Sequence, residues 1–154
     1  MKGPNMKYRK MKLGDLFAIG ELERIIFDDA WSVSSCRGAL ENHSVYAVVA
    51  EDDDGIAGYG FMMGTQEEAE ILRVAVVPDK RRQHIGSGLL EDMLDYGDYE
   101  GYTNIFLEVR ESNSAARALY EKCGFEIIGK RVDYYKNPKE DAVIMELVFT
   151  DDEE

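Results

Sequence analysis

The segment from Ile71 to Tyr96, ILRVAVVPDKRRQHIGSGLLEDMLDY, constrains the fold more than any other stretch. Ile71 to Val77 is a nearly continuous β-branched and apolar run, the pattern of a buried strand, and Pro78 ends it because proline has no N–H to give a ladder. Lys80, Arg81 and Arg82 come next, then Gln83, His84, Ile85, Gly86, Ser87 and Gly88. Leu89, Leu90, Met93 and Leu94 then share one face of a helix. The segment reads as strand, basic glycine-bearing loop, helix.

A turn of that kind suits an anion. The first N–H groups of a helix have no partner within it and carry a partial positive charge, and Gly86 and Gly88 would let the backbone come close to a ligand such as a pyrophosphate. The spacing matches neither the P-loop nor the dinucleotide pattern of glycines. A solvated basic flank is the plainer reading, but three consecutive cations invert the local sign in a chain whose formal net charge is -13.

The motif Gln83-x-x-Gly86-x-Gly88, behind a strand ending Val74-Ala75-Val76-Val77-Pro78, resembles the acetyl-coenzyme A (acetyl-CoA) signature of the GNAT N-acetyltransferases. The likeness continues through LEVRESNSAARALYEKCGF, Leu107 to Phe125, and YYKNPKEDAVIM, Tyr134 to Met145. The combination is similar to the branch of the family that acetylates the N-terminal alanine of a ribosomal protein. The resemblance implies an α/β GNAT fold: a mixed, mostly antiparallel sheet flanked by helices, with two central parallel strands that splay apart at the active site. It implies acetyl-CoA as co-substrate, held by the backbone of Val74, Ala75 and Val76, by Arg81, Arg82, Gln83, His84, Ile85, Gly86, Ser87 and Gly88, and by Asn113. It also implies Glu108 as general base, Tyr120 as general acid, and a protein N-terminus as acceptor, with Trp31 and Tyr134 in its wall. His84 departs from the family, which often has glycine there.

At 154 residues a single domain is expected, with its core over about 6–149 and an acidic tail over 150–154. With 31 acidic side chains against 18 basic, the average surface repels phosphates, so nucleic acid is not an expected partner. The same acidity suits a cationic acceptor and equally suits solubility. Cys36 and Cys123 are two and far apart, which reads as reduced thiols rather than a staple. No apolar stretch reaches membrane-spanning length, and the first ten residues lack the apolar core of a signal peptide, so a cytoplasmic location is expected. No His/Cys group has zinc spacing, so no metal is expected.

Around the central segment the pattern predicts the order β-α-α-β-β-β-α-β-α-β-β. Residues 1–5 read as a loose lead-in and Met6 to Lys12 as a strand. Asp15 would cap a helix carrying Leu16, Ile19, Leu22 and Ile26 to about Phe27, and Ser32 a second one reaching about Asn42. Val45 to Glu51 and Ile56 to Met63 form a hairpin around Asp52-Asp53-Asp54-Gly55, whose acids read as solvated turn chemistry rather than calcium ligands. After the central helix, Asp98 to Tyr102 is a predicted loop and Asn104 to Val109 a strand. Asn113 or Ser112 caps a helix that Gly124 ends, and Phe125 to Val132 and Ala142 to Phe149 are strands around a connector, Asp133 to Asp141.

Residue types alone leave each site residue two readings. Strand alternation puts Phe106, Glu108 and Arg110 on one face, so Glu108 is either a base or a half-exposed carboxylate paired with Arg110. An α-amine with a pKa of about 8 is mostly protonated at neutral pH, which gives a carboxylate work to do. Tyr120 either faces a leaving thiolate or is a core aromatic, Asn113 either touches the cofactor or only caps a helix, and Trp31 and Tyr134 are either acceptor wall or core. A GNAT enzyme for another amine, such as a lysine or polyamine, and a non-catalytic acyl-CoA-binding module both remain open on these grounds.

Overall fold

The computed structural model describes residues 5–149; most of the predicted lead-in and the whole acidic tail lie outside them. In chain order the elements are β1 (Lys7–Lys10), α1 (Leu16–Ile26), α2 (Val33–Glu41), β2 (Val45–Asp52), β3 (Gly55–Gly64), β4 (Glu68–Val76), α3 (Ile85–Glu100), β5 (Asn104–Arg110), α4 (Ser114–Lys122), β6 (Glu126–Lys136) and β7 (Lys139–Val148). The seven strands make one sheet in the order β1-β2-β3-β4-β5-β7-β6. Its neighbours run antiparallel except β4 and β5, which are parallel.

Two apolar clusters cover the sheet. On one face Ile85, Leu89, Leu90 and Met93 of α3 pack on Val48, Met62, Leu107 and Met145. On the other, Leu16 and Ile19 of α1 and Cys36 of α2 pack on Val49, Tyr59 and Phe61. Because this second layer reaches β2, β3 and β4 alone, the same face of β5, β7 and β6 carries no helix among the described residues.

The parallel pair sets the geometry of the site. β4 and β5 are in register over Glu68↔Asn104, Ala69↔Ile105 and Glu70↔Phe106, and then part. An irregularity opposite Phe61 and Met62 leaves Leu72 as an extra residue on β4, which turns that strand to follow β3 as far as Val76. β5 meanwhile follows β7 as far as Arg110. The result is a slot between two strands, with backbone of β4 along one side.

The predicted order of elements holds, with four local corrections. Asp15 stands at the N-cap position of α1 but gives that helix no side-chain bond; its carboxylate accepts from Lys12 N at 2.8 Å and from Arg9 at 2.9 Å, and the guanidinium holds its carboxyl below the usual range. α3 runs through the predicted loop to Glu100, because Gly97 lies inside it, where a Cβ would sit 2.9 Å from Ile105, and Gly101 at φ 86 makes the stop. β6 and β7 extend across the predicted connector into a tight hairpin at Asn137-Pro138. Asp52 is not solvated turn chemistry: its side chain is 2% exposed and ion-paired to Lys80, which holds its carboxyl below the ordinary value.

Candidate active site

A cleft of about 1130 Å³ runs along the slot, from the start of α3 to the segment joining α1 and α2. Val74, Ala75 and Val76 line it from β4, Arg81, Arg82, His84, Ile85, Gly86 and Ser87 from the basic loop, and Asn113 and Tyr120 from α4 and its cap. Glu108 lines it from β5, Trp31 from the segment joining α1 and α2, and Tyr134 from β6. Gln83 and Gly88 do not line it.

The basic loop has divided duties. Lys80 reaches back to Asp52 and Asp54 at the β2–β3 tip, leaving Arg81 and Arg82 facing the cleft, with Arg81 Nε also donating to Val76 O at 3.2 Å. His84, the departure from the family pattern, takes φ 64, a backbone shape glycine adopts freely, so the loop keeps its course despite the larger residue. The first bond of α3 runs from Gly88 N to His84 O at 3.1 Å, so the amides of Ile85, Gly86 and Ser87 have no acceptor within the helix. With the dipole and two guanidiniums they offer the chemistry an anion requires. Gly88 serves packing rather than ligand approach: a Cβ there would lie 2.1 Å from the Tyr8 hydroxyl. Asn113 keeps both of its readings, since it accepts from Ala116 N at 3.1 Å as the cap of α4 and also lines the cleft.

Glu108 does not pair with Arg110. That arginine is bound to Glu140 at 3.3 Å and to Pro138 O at 2.9 Å, with its guanidinium 4.3 Å from the centre of the Tyr135 ring. Glu108 is instead ion-paired with Arg131 of β6, its own side chain 17% exposed and that of Arg131 57%. Tyr134 stands next to them, its phenol pushed up first by the Glu108 carboxylate within reach of its hydroxyl and then by burial. Tyr120 packs edge-on against Phe125 at 5.9 Å, and its hydroxyl has no partner among the described residues. Burial, followed by Tyr135 and Cys123, pushes its pKa to about 12, so it stays a proton donor across the working range.

The far wall is anchored by a group that no sequence motif marks. Glu23 of α1 is 0% exposed and accepts from Trp31 N at 2.8 Å, from the Tyr59 hydroxyl at 2.7 Å and from Arg73 at 2.8 Å. Arg73 in turn lies 3.8 Å from the Phe27 ring centre and 4.9 Å from that of Trp31, and donates to Asp29 O at 3.0 Å. Trp31 therefore belongs to both of its readings, packed 5.2 Å from Phe61 and lining the cleft. A signal existed: Leu16, Ile19, Glu23 and Ile26 follow helical spacing, so Glu23 is a carboxylate on an apolar face. Glu70 was also missed, at the point where β4 and β5 part.

A sheet opened between parallel strands, with free helix amides and guanidiniums at one end of the opening and a carboxylate and a phenol along it, is built for acyl transfer from an extended nucleotide thioester. The chain belongs to the acetyltransferase (GNAT) family, whose profile matches residues 15–125, and it is an acetyl-CoA-dependent N-acetyltransferase. A Bacillus subtilis protein with the provisional name of ribosomal protein bS18-alanine N-acetyltransferase is 33% identical over 138 residues, which are 89% of this chain and 91% of that one. The Salmonella typhimurium ribosomal protein bS18-alanine N-acetyltransferase is 40% identical over 97 residues, 62% of this chain and 66% of that one. The crystal structure of the ribosomal-protein-S18-alanine N-acetyltransferase from Escherichia coli superposes with a TM-score of 0.89 at 30% identity, covering 97% of each chain.

Proposed function

We propose that this enzyme acetylates the N-terminal α-amine of a protein, and that the acceptor is the alanine that begins a small-subunit ribosomal protein. The observation that carries this is the likeness over nearly the whole chain to proteins named for that activity. The far wall of the cleft agrees with it. Trp31, Tyr134 and Tyr135 give it aromatic lining, and Asp28 and Asp29 give it the negative charge a basic tail needs.

In this reading the amides at the start of α3, with Arg81 and Arg82, hold the pyrophosphate, and the slot-side backbone of Val74 to Val76 holds the arm that carries the acetyl thioester. That thioester supplies the acyl group. Backbone N–H groups on the slot edge would draw charge from its carbonyl as the tetrahedral intermediate forms. Glu108 takes the proton from the acceptor ammonium, directly or through water, which frees the nitrogen lone pair for attack. Tyr120 donates its hydroxyl hydrogen to the sulfur as the C–S bond breaks; the second proton leaves the nitrogen to water, and the phenolate regains one from solvent. Burial keeps the phenol protonated, so its hydrogen is still in place when the thiolate forms.

The test is acetylation of two peptides, each beginning with alanine followed by basic residues, one with a free and one with a blocked N-terminus. Mass spectrometry should find one acetyl group on the α-amine of the first and none on the lysines of the second. Faster transfer to lysine or spermidine would overturn the acceptor assignment and leave the acetyltransferase intact.

A further inference from the structure

Beside the main cleft is a second hollow of about 290 Å³, at the edge of the part of the sheet face that α1 and α2 leave bare. Met63, Phe106 and Ile144 make its apolar floor, Glu68 and Glu70 line one side, and Glu108 and Arg131 the other. Glu70, Leu107 and Glu108 line both cavities, so the two meet at the candidate base. Glu70 is in register with Phe106, and Glu108 lies two residues further along β5, so both carboxylates project from the same face on opposite sides of the slot.

Two carboxylates so placed repel one another. The Glu70 carboxyl is pushed above its ordinary value first by burial and then by the charge of Glu108, while Arg131 pulls it back down. Arg131 feels both, its charge strengthened first by the bond to Glu108 and more weakly by Glu70. It is the one cation lining the smaller hollow among the described residues. Its guanidinium makes no other side-chain hydrogen bond there, and it comes 5.7 Å from the Tyr134 ring centre, at the rim of the acceptor wall. This is a cation site filled by the protein's own side chain.

We propose that the guanidinium of Arg131 holds the place an acceptor ammonium must take beside Glu108, so that Arg131 acts as a specificity-determining residue. An acceptor amine arrives charged at neutral pH and must compete with Arg131, which already holds Oε2, for the Glu108 carboxylate. The arginine is long, more than half exposed and tied at one point, so it can leave, but its departure removes an ion pair. A chain end with further contacts in the cleft can offset that loss. A small free amine cannot. The arrangement filters against small cations, including those the acidic surface would otherwise gather, and this reading rests on the peptide acceptor proposed above.

The experiment compares wild type, Arg131→Gln and Arg131→Lys by CoA release, with an alanine-led basic peptide, alanine amide and spermidine as acceptors. Arg131→Gln should lower the KM for alanine amide and spermidine roughly two- to fivefold, the worth of a partly exposed ion pair. The KM for the peptide should fall less, so that the preference for it narrows, and Arg131→Lys should behave like wild type. Acetyl-CoA affinity by calorimetry, unchanged in both variants, shows that the fold is intact. If Arg131→Gln instead lowers kcat for every acceptor at constant KM, Arg131 merely steadies Glu108 and the proposal fails. It also fails if the preference stays the same or widens. Should Arg131→Gln not fold, Arg131→Met serves in its place under the same expectations, and an unchanged preference overturns the idea. If wild type ignores the peptide but uses spermidine, the peptide assignment falls, while the ratio of variant to wild type on spermidine still decides the role of Arg131.

Discussion

Replacing Glu23 by alanine should unfold this protein more readily than any single change at its surface. The carboxylate is 0% exposed and has three donors within 2.8 Å, namely the backbone of Trp31, the Tyr59 hydroxyl and the Arg73 guanidinium, whose side chain is 11% exposed. Its removal strands a buried cation, a buried phenol and an amide together. Losing one partner of a buried pair costs about 3–5 kcal/mol. At about 4 kcal/mol, and about 2–4 °C per kcal/mol for a domain of this size, Tm should drop by about 8–16 °C, read by calorimetry with acetyl-CoA absent. The double substitution Glu23→Leu with Arg73→Met should recover most of the loss, because it leaves no charge behind. Its KM for the acceptor should nonetheless rise while that for acetyl-CoA holds, since the segment carrying Asp29 and Trp31 would have lost its anchor. A loss below about 1 kcal/mol for Glu23→Ala, or a double variant no more stable than the single one, would refute the reasoning.

Glu108→Gln should slow turnover by roughly 10²–10⁴ at neutral pH, with the deficit shrinking as pH rises past about 8 and the amine sheds its own proton. Tyr120→Phe should slow turnover with acetyl-CoA affinity unchanged, and wild-type rates in both variants would remove the acid–base assignment. Arg82→Glu should raise the KM for acetyl-CoA well above any change in acceptor KM. Gly88→Ala should act on stability instead, losing about 1–3 kcal/mol by denaturant unfolding as Tyr8 is pushed from its place, with recovery when Tyr8 is shortened to alanine.

The run from Ile71 to Leu94 was legible because each part breaks the pattern before it: a β-branched strand, proline, cations, glycines, then helical spacing. Those are local signals, and the sheet order followed from them together with the family resemblance. The partners of charged side chains were not legible in the same way. Nothing near Glu108 in sequence points to Arg131, which comes to it across the sheet because β6 and β5 both flank β7, and the adjacent Arg110 was the natural but wrong choice. Lys80 shows the same limit. It reads as one of three equivalent cations until the β2–β3 tip is folded beside it. Gly88 belonged to a ligand motif by spacing and to Tyr8 by contact, a distinction that depends on where β1 crosses α3. The length of α3 was misjudged because glycine inside a helix looks like its end unless the closeness of Ile105 is known.

The tie between Lys80 and Asp52 has a consequence for conformational entropy. A basic loop free at its near end would have to be ordered each time a nucleotide arrived, at about 1–2 kcal/mol for each backbone residue fixed. Here Lys80 fastens the loop to a hairpin tip two strands away, and Arg82 and His84 already hold left-handed backbone shapes at φ 67 and 64. The ordering is completed during folding. In the reading proposed above, contacts made later by Arg81, Arg82 and the helix amides then appear almost undiminished as affinity, as expected for a preorganised site.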